Sequence, residues 1–206
     1  FNVTGFITEY DDKQEFNVVA NPVTGGFDTK VENAAEVSYE GAEVEVFAKP
    51  LADHDFSLRF SLGVLDAEFD KRMRGGVNVA DQTAMIYAPD LTASMGFTYN
   101  RAIFNGSTLN LSGNLNHVGK HRGRTEIPME PIASGRDVVK SRNELDLAAT
   151  VETPFGDGGK FFVSLYGTDL LKDGAYVDRP VEVRPLFFIG GMRVRRQYGV
   201  RIGIEY

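Results

Sequence analysis

Gln197-Tyr198-Gly199-Val200-Arg201-Ile202-Gly203-Ile204-Glu205-Tyr206 closes the sequence and carries the reading of its fold. Successive side chains of a strand point to opposite sides. Tyr198, Val200, Ile202, Ile204 and Tyr206 therefore share one face, while Gln197, Gly199, Arg201, Gly203 and Glu205 share the other. Aliphatics bracketed by tyrosines, opposed by charge and glycine, fit a strand with lipid outside and water inside, its aromatic rings at the two interfaces.

The same alternation recurs upstream. Leu145, Leu147, Ala149 and Val151 oppose Glu144, Asp146, Ala148, Thr150 and Glu152; Leu109, Leu111, Gly113 and Leu115 oppose Asn110, Ser112, Asn114 and Asn116. Leu91, Ala93, Met95, Phe97 and Tyr99 oppose Thr92, Ser94, Gly96, Thr98 and Asn100, and Phe56, Leu58, Phe60, Leu62 and Val64 oppose Ser57, Arg59, Ser61 and Gly63. Val44, Val46 and Ala48 oppose Glu43, Glu45 and Lys49, and Phe1, Val3 and Ile7 oppose Asn2, Thr4 and Thr8. Lys160 to Asp169 reads as a further strand with apolar residues on both faces. The count is about eight strands, each long enough to cross a bilayer at a tilt. Their polar faces are rich in Asn, Ser, Thr and Gly, which suits a hydrated lumen.

Connections give a second signal. Pro50–Asp55, Arg101–Ser107 and Thr153–Gly159 are short, whereas Asp11–Glu36, Asp70–Tyr87, Val118–Lys140 and Leu170–Arg195 are long. Alternation of tight turns and long loops is the habit of outer-membrane barrels, with the turns in the periplasm. An even strand count leaves Tyr206 on the periplasmic side. No segment sustains a capped helical stripe.

Composition narrows the field without naming a function. The hydrophobic share of 42% and charged share of 25% would pass for a soluble protein. No run approaches the roughly 18 apolar residues of a membrane helix, a limit that barrel strands never need to meet. A net charge of -7 argues against a nucleic-acid partner. Without cysteine there is no disulfide, thiolate metal site or thiol nucleophile. The sequence opens at Phe1 inside a strand, so we expect either a removed signal peptide or a piece of a longer chain.

Several phrases within this pattern resemble the C-terminal barrel of TonB-dependent outer-membrane receptors. They are Tyr39-Glu40-Gly41-Ala42-Glu43-Val44-Glu45-Val46, Leu62-Gly63-Val64-Leu65-Asp66-Ala67-Glu68-Phe69-Asp70, Tyr87-Ala88-Pro89-Asp90-Leu91-Thr92-Ala93-Ser94-Met95-Gly96, and the terminal Tyr198–Tyr206 strand. Gly167-Thr168-Asp169-Leu170-Leu171 stands where the family often has an Asn-Leu-Thr-Asp segment, but lacks its Asn and acidic follow-up. The resemblance implies an all-β, antiparallel transmembrane barrel of about 22 strands, of which residues 1–206 form the C-terminal part. It also implies a plug domain elsewhere that contacts the TonB complex, and a small-molecule cargo, a ferric siderophore above all. Tyr198, Val200, Ile202, Ile204 and Tyr206 would then form the C-terminal assembly signal.

Chemistry-bearing residues point away from catalysis. His117 and His121 would lie about 13 Å apart on extended chain, and His54 falls in a short turn, so no protein metal site or cofactor is expected. The carboxylate pairs Glu43/Glu45, Glu144/Asp146 and Asp66/Glu68 read as lumen-facing charges, solvated or paired with Arg across strands. No nucleophile elbow or triad can be assembled. Two basic clusters open long loops: Lys71, Arg72 and Arg74, and Lys120, His121, Arg122 and Arg124. Both fit contacts with lipopolysaccharide or an anionic ligand outside the cell, and Arg193, Arg195 and Arg196 fit lipopolysaccharide equally well. Leu186–Ile189 is apolar for a loop; it either prolongs the last strand or packs against neighbouring loops.

Two rival architectures stay open at this level. A complete small barrel of about eight strands, structural or adhesive in role, would pair Phe1–Tyr10 with Tyr198–Tyr206. A soluble β-sandwich would bury Val200, Ile202 and Ile204 against a second sheet.

Overall fold

The computed structural model describes residues 1–52, 54–123, 138–156, 158–171, 177–183, 187–192 and 196–206. Its alternating segments form eight long strands: β1 (Asn2–Ala20), β2 (Phe27–Ala48), β3 (Asp55–Arg74), β4 (Leu91–Ala102), β5 (Thr108–Val118), β6 (Arg142–Phe155), β7 (Gly159–Thr168) and β8 (Gln197–Glu205). Each strand pairs antiparallel with the next in sequence, giving one sheet in the order β1 to β8. Between the described residues of β1 and β8 no pairing occurs, so the sheet has two open edges. The closure required of a complete small barrel is therefore missing.

The short connections fall where the sequence puts them. Ile103–Ser107 is a tight turn closed by Ser107 N–H to the Phe104 carbonyl at 3.0 Å, and Asn105 and Gly106 take up positive φ of 52° and 74° there. Asn and Gly tolerate that region because Asn can bond its own backbone and Gly has no Cβ. Asp11–Glu36, expected as a long loop, is instead mostly strand. β1 continues to Ala20 and β2 begins at Phe27, with the turn at residues 21–26. The Asn21 side chain holds this turn by accepting from the Val23 and Thr24 amides at 2.8 and 3.1 Å. Leu186 lies outside the described residues. Phe187–Met192 pairs with Val177–Val183, so this apolar run builds a separate hairpin rather than prolonging β8.

Register sorts the side chains into two faces. Partners in an antiparallel pair share a side, so one row runs Val44–Leu62–Ala93–His117 and another Leu58–Phe97–Gly113–Leu147–Gly167–Tyr198. Across all eight strands this face carries Val3, Val44, Val46, Leu58, Phe60, Met95, Leu111, Leu147, Val163, Val200 and Ile202. Val200, Ile202 and Ile204 are 60%, 65% and 56% exposed. No described residue covers them, which overturns the sandwich reading. The opposite face bears hydroxyl and amide rungs: Ser57–Thr98 at 2.6 Å, Ser61–Ser94 at 2.8 Å, Thr150–Ser164 at 2.8 Å and Asn100–Asp55 at 2.7 Å. Residues from β3 through β8 on this polar face, from Arg59 to Arg201, line one shared cavity of about 530 Å³. The polar face is thus the concave one.

The doubly apolar character of β7 has a local cause. Phe162 and Tyr166 lie on the polar face opposite Gly203 and Gly199 of β8. A Cβ on Gly199 would sit 2.9 Å from the Tyr166 hydroxyl, so the ring uses the space that glycine leaves. Arg201 stacks its guanidinium over the same ring at 5.5 Å.

At the long-loop end, β1, β2 and β3 run on for 19, 22 and 20 residues, against 9 to 14 in the other five strands. This extension has a small core of its own: Ala35, Val37, Phe69 and Ala80 are buried, with Tyr39 and Met85 packed against them. Ala80 arrives on the one-turn 3-10 segment Ala80–Gln82, which folds back from β3. Phe69→Ala should lower the local opening free energy there by about 3 kcal/mol through lost burial and a cavity. Amide exchange should accelerate at Val37 and Ala80 with Leu111 unaffected; unchanged exchange at Val37 would show that the Phe69 ring does not hold this region together.

Candidate functional site

Two surfaces emerge from the alternation of the strands: the apolar face, and the long-loop end of the polar face. The apolar face has aromatics along its short-turn margin. Phe155 and Tyr206 meet edge-on with centroids 5.6 Å apart, and Phe56 meets Tyr99 at 6.3 Å. Tyr198 and Tyr206, at 79% and 97% exposure, close the two ends of the β8 row. All five residues of the proposed assembly signal, Tyr198, Val200, Ile202, Ile204 and Tyr206, project from one side of the free edge strand. A row of about nine residues on strands tilted by about 40° spans a little over 20 Å, close to the apolar band of a barrel.

Above Val64 the two faces exchange character. On the side continuous with the apolar face, the exposed residues become Glu9, Glu40, Asp66, Glu68 and Asp70, with Ile7 opposite Glu40. Glu40 stands directly opposite Asp66, and Ser38 opposite Glu68. Asp66 and Glu68 therefore do not face the lumen side, contrary to the expectation from sequence. Glu43, Glu45, Glu144 and Asp146 do lie on the polar face. Within β6, Glu144 accepts from Arg142 at 2.7 Å, a partner on its own strand. The concave face meanwhile turns apolar, carrying Phe6, Tyr10, Val37, Tyr39, Leu65 and Phe69.

This aromatic group is the feature missed from sequence. Tyr10 and Tyr39 meet edge-on at 6.0 Å and 89°. The Lys13 ammonium lies 5.2 Å and the Arg72 guanidinium 4.8 Å from the centre of the Phe69 ring. A cavity of about 450 Å³ opens beside this group, lined by Phe6, Thr8, Tyr10, Lys13, Tyr39 and Leu65 among others. A visible signal existed: Phe6 interrupts the polar side of the first strand, between Thr4 and Thr8.

The two basic clusters are not brought together as sites. Lys71 binds Glu36 at 2.7 Å on the convex side, whereas Arg72 turns inward to Phe69. Arg74 ends β3 opposite Val77. Lys120 and Arg122 are exposed, and His121–Arg122 pairs with Val138–Val139. The His121 ring bonds the Gly119 carbonyl at 3.0 Å and leans on Tyr87 at 6.2 Å. The Tyr87 amide donates to the Arg122 carbonyl at 2.8 Å, joining two long connections. Arg124, Arg193 and Arg195 lie outside the described residues. Among the described residues no group of His, Asp and Glu has the arrangement of a metal site.

A scan against protein-family models finds no match, and a search of curated proteins finds none either. Among solved structures, the chain is similar to BauA, the ferric preacinetobactin receptor from Acinetobacter baumannii. The two share 19% identity with a TM-score of 0.64, and the match covers 98% of this chain but 26% of that one. At this identity the likeness concerns the fold: an antiparallel sheet of the kind found in that receptor.

Lys71 provides a direct check on the convex ion pair. Its hydrogen bond to Glu36, then the Glu36 charge, raise its pKa above the ordinary lysine value. A raised lysine pKa means a contribution present at neutral pH and lost only as pH climbs through the folded value. Glu36→Gln should return the Lys71 titration, followed by lysine-resolved NMR, toward the ordinary value. An unmoved titration would rule out Glu36 as the cause.

Proposed function

We propose that this chain is a wall segment of an outer-membrane receptor barrel of the TonB-dependent kind, serving the uptake of a scarce nutrient, a ferric siderophore above all. The observation that carries the reading is the exchange of polarity along β1–β3. One face is apolar up to Val64 and beyond it carries Glu9, Glu40, Asp66, Glu68 and Asp70, with Ile7 the exposed aliphatic among them, while the concave face is polar below and apolar above. A lipid layer of fixed height gives such a sheet its reason: the outward side must be greasy within the layer and hydrated above it. Aromatics at the short-turn margin mark the opposite interface.

The open edges support a larger barrel. In hydrocarbon each unpaired backbone group costs several kcal/mol, roughly, so β1 and β8 call for further strands beside them. A barrel of about 22 strands provides those neighbours. Support for the cargo class comes from the likeness to BauA, which is named as a ferric preacinetobactin receptor. In this reading the long loops face outward toward lipopolysaccharide, Tyr206 lies on the periplasmic side, and the TonB complex acts through a plug domain on other residues. The role is transport, with no catalytic group assigned.

Arginine placed on either face tests the membrane assignment. Leu111→Arg, mid-height on the apolar face, should cost about 2–4 kcal/mol, and Ser112→Arg on the polar face should cost well under 1 kcal/mol, roughly. Folded, heat-modifiable protein in outer-membrane fractions is the readout; equal penalties would sink the assignment. For transport, loss of the gene or of TonB should abolish iron-55 accumulation from at least one of a ferric catecholate, a ferric hydroxamate and a mixed-ligand complex. Undiminished uptake of all three would defeat the cargo reading while leaving the barrel standing.

A further inference from the structure

We infer that the concave face at the long-loop end of β1–β3 holds a binding site for an aryl anion, a flat aromatic ring bearing a phenolate or carboxylate oxygen. The inference rests on the reading above only in taking this face as water-accessible from outside. Its starting point is a local reversal of chemistry. Lower on this face the rungs are Ser57–Thr98 and Ser61–Ser94. At the long-loop end, Phe6, Thr8, Tyr10, Lys13, Tyr39 and Leu65 line a cavity of about 450 Å³. That volume lies in the range of small-molecule pockets.

The loop that folds back from β3 does not fill this space. Ala80 and Met85 pack against Val37 and Phe69, and Val37 is left only 1% exposed. Tyr10 nevertheless remains 56% exposed. Rings on a water-facing wall gain most from a flat apolar partner laid against them.

Charge selects the partner's sign. Lys13 lines the cavity and holds its ammonium over the Phe69 ring, and Arg72 holds its guanidinium over the same ring. Both cations have other contacts as well; Phe69 and Arg72 adjoin the cavity, and Lys13 is the cation that lines it, beside Tyr10 and Tyr39. Thr8, Tyr10 and Tyr39 add hydroxyls that donate to an anionic oxygen. A ring supplies the apolar contact, and its phenolate or carboxylate supplies a charge-assisted bond to Lys13. A cationic ligand meets like charge, and an aliphatic acid forgoes the ring contact.

The test uses the full-length protein in lipid nanodiscs, with salicylate, benzamide and cyclohexanecarboxylate as probes in calorimetric titrations. Salicylate should bind at least about tenfold more tightly than either control. Lys13→Met should weaken salicylate by about tenfold without affecting benzamide, and Lys13→Arg should retain most of the binding. Tyr39→Leu should weaken both aromatic probes, and Arg201→Ala, on the far side of the polar face, should change neither. Equal affinity for the three probes, no binding, or an indifferent Lys13→Met overturns the site. Heat-modifiable migration of the same sample separates the two readings. A folded, inserted barrel that ignores salicylate refutes the site alone, whereas a chain that stays out of the bilayer refutes the membrane reading and the site with it.

Discussion

The hydrogen-bonded ladder from β1 to β8 bears the weight that a hydrophobic core bears in most folds of this size. Among the described residues, buried apolar side chains are confined to a handful such as Ala35, Val37, Phe69 and Val139. Elsewhere both faces of the sheet are open, and apolar residues such as Val200 and Leu165 stay more than half exposed. In water that arrangement would leave a large greasy surface without a partner. With hydrocarbon against one face, the same surface is solvated, and the ladder becomes the only route by which the backbone satisfies its polar groups. Register follows from this, since a slip of one residue would turn Arg59 or Arg201 into the lipid.

In the proposed membrane setting that constraint would operate only over the height of the lipid, and the long strands change character above Val64. β1–β3 continue beyond Val64, and there the convex side carries Glu40 opposite Asp66. Like charges facing one another across a ladder are unfavourable, and full hydration weakens the repulsion. The concave side in turn gains a miniature core from a loop that folds inward.

The sequence was most legible where alternation was unbroken. Tyr198–Glu205, Leu91–Asn100 and Leu109–Asn116 all lie in strands of the expected faces, because a strand with one polar and one apolar face prints period two. Asp11–Glu36 was illegible for the opposite reason. The polar run Asp11-Asp12-Lys13-Gln14-Glu15 breaks the alternation, and Asn21-Pro22 and Gly25-Gly26 carry turn signals, so strands running through this region read as a loop. Phe6 and Tyr166 broke the pattern visibly, but their reasons lay across the sheet, in Gly41 and Gly199. Pairing partners far apart in sequence cannot be read from either strand by itself. The basic clusters misled because neighbouring residues on a strand point to opposite sides: Lys71 and Arg72 are adjacent in the chain and serve different faces.

The aromatic cavity and the open edge of the sheet are connected. Phe6, Thr8, Tyr10 and Lys13 all belong to β1, the edge strand, while their partners Tyr39 and Val37 belong to β2. A neighbour paired to the free side of β1 would stand directly beside the cavity and supply its missing wall, with side chains that share the level of Thr8 and Tyr10. Completion of the barrel and completion of the site would then be the same event. A cation held against an aromatic wall, as Lys13 is, gains strength when water is excluded from it. The contact of Lys13 with the ring would strengthen as the barrel closes, and ligand recognition would belong to the fully assembled wall.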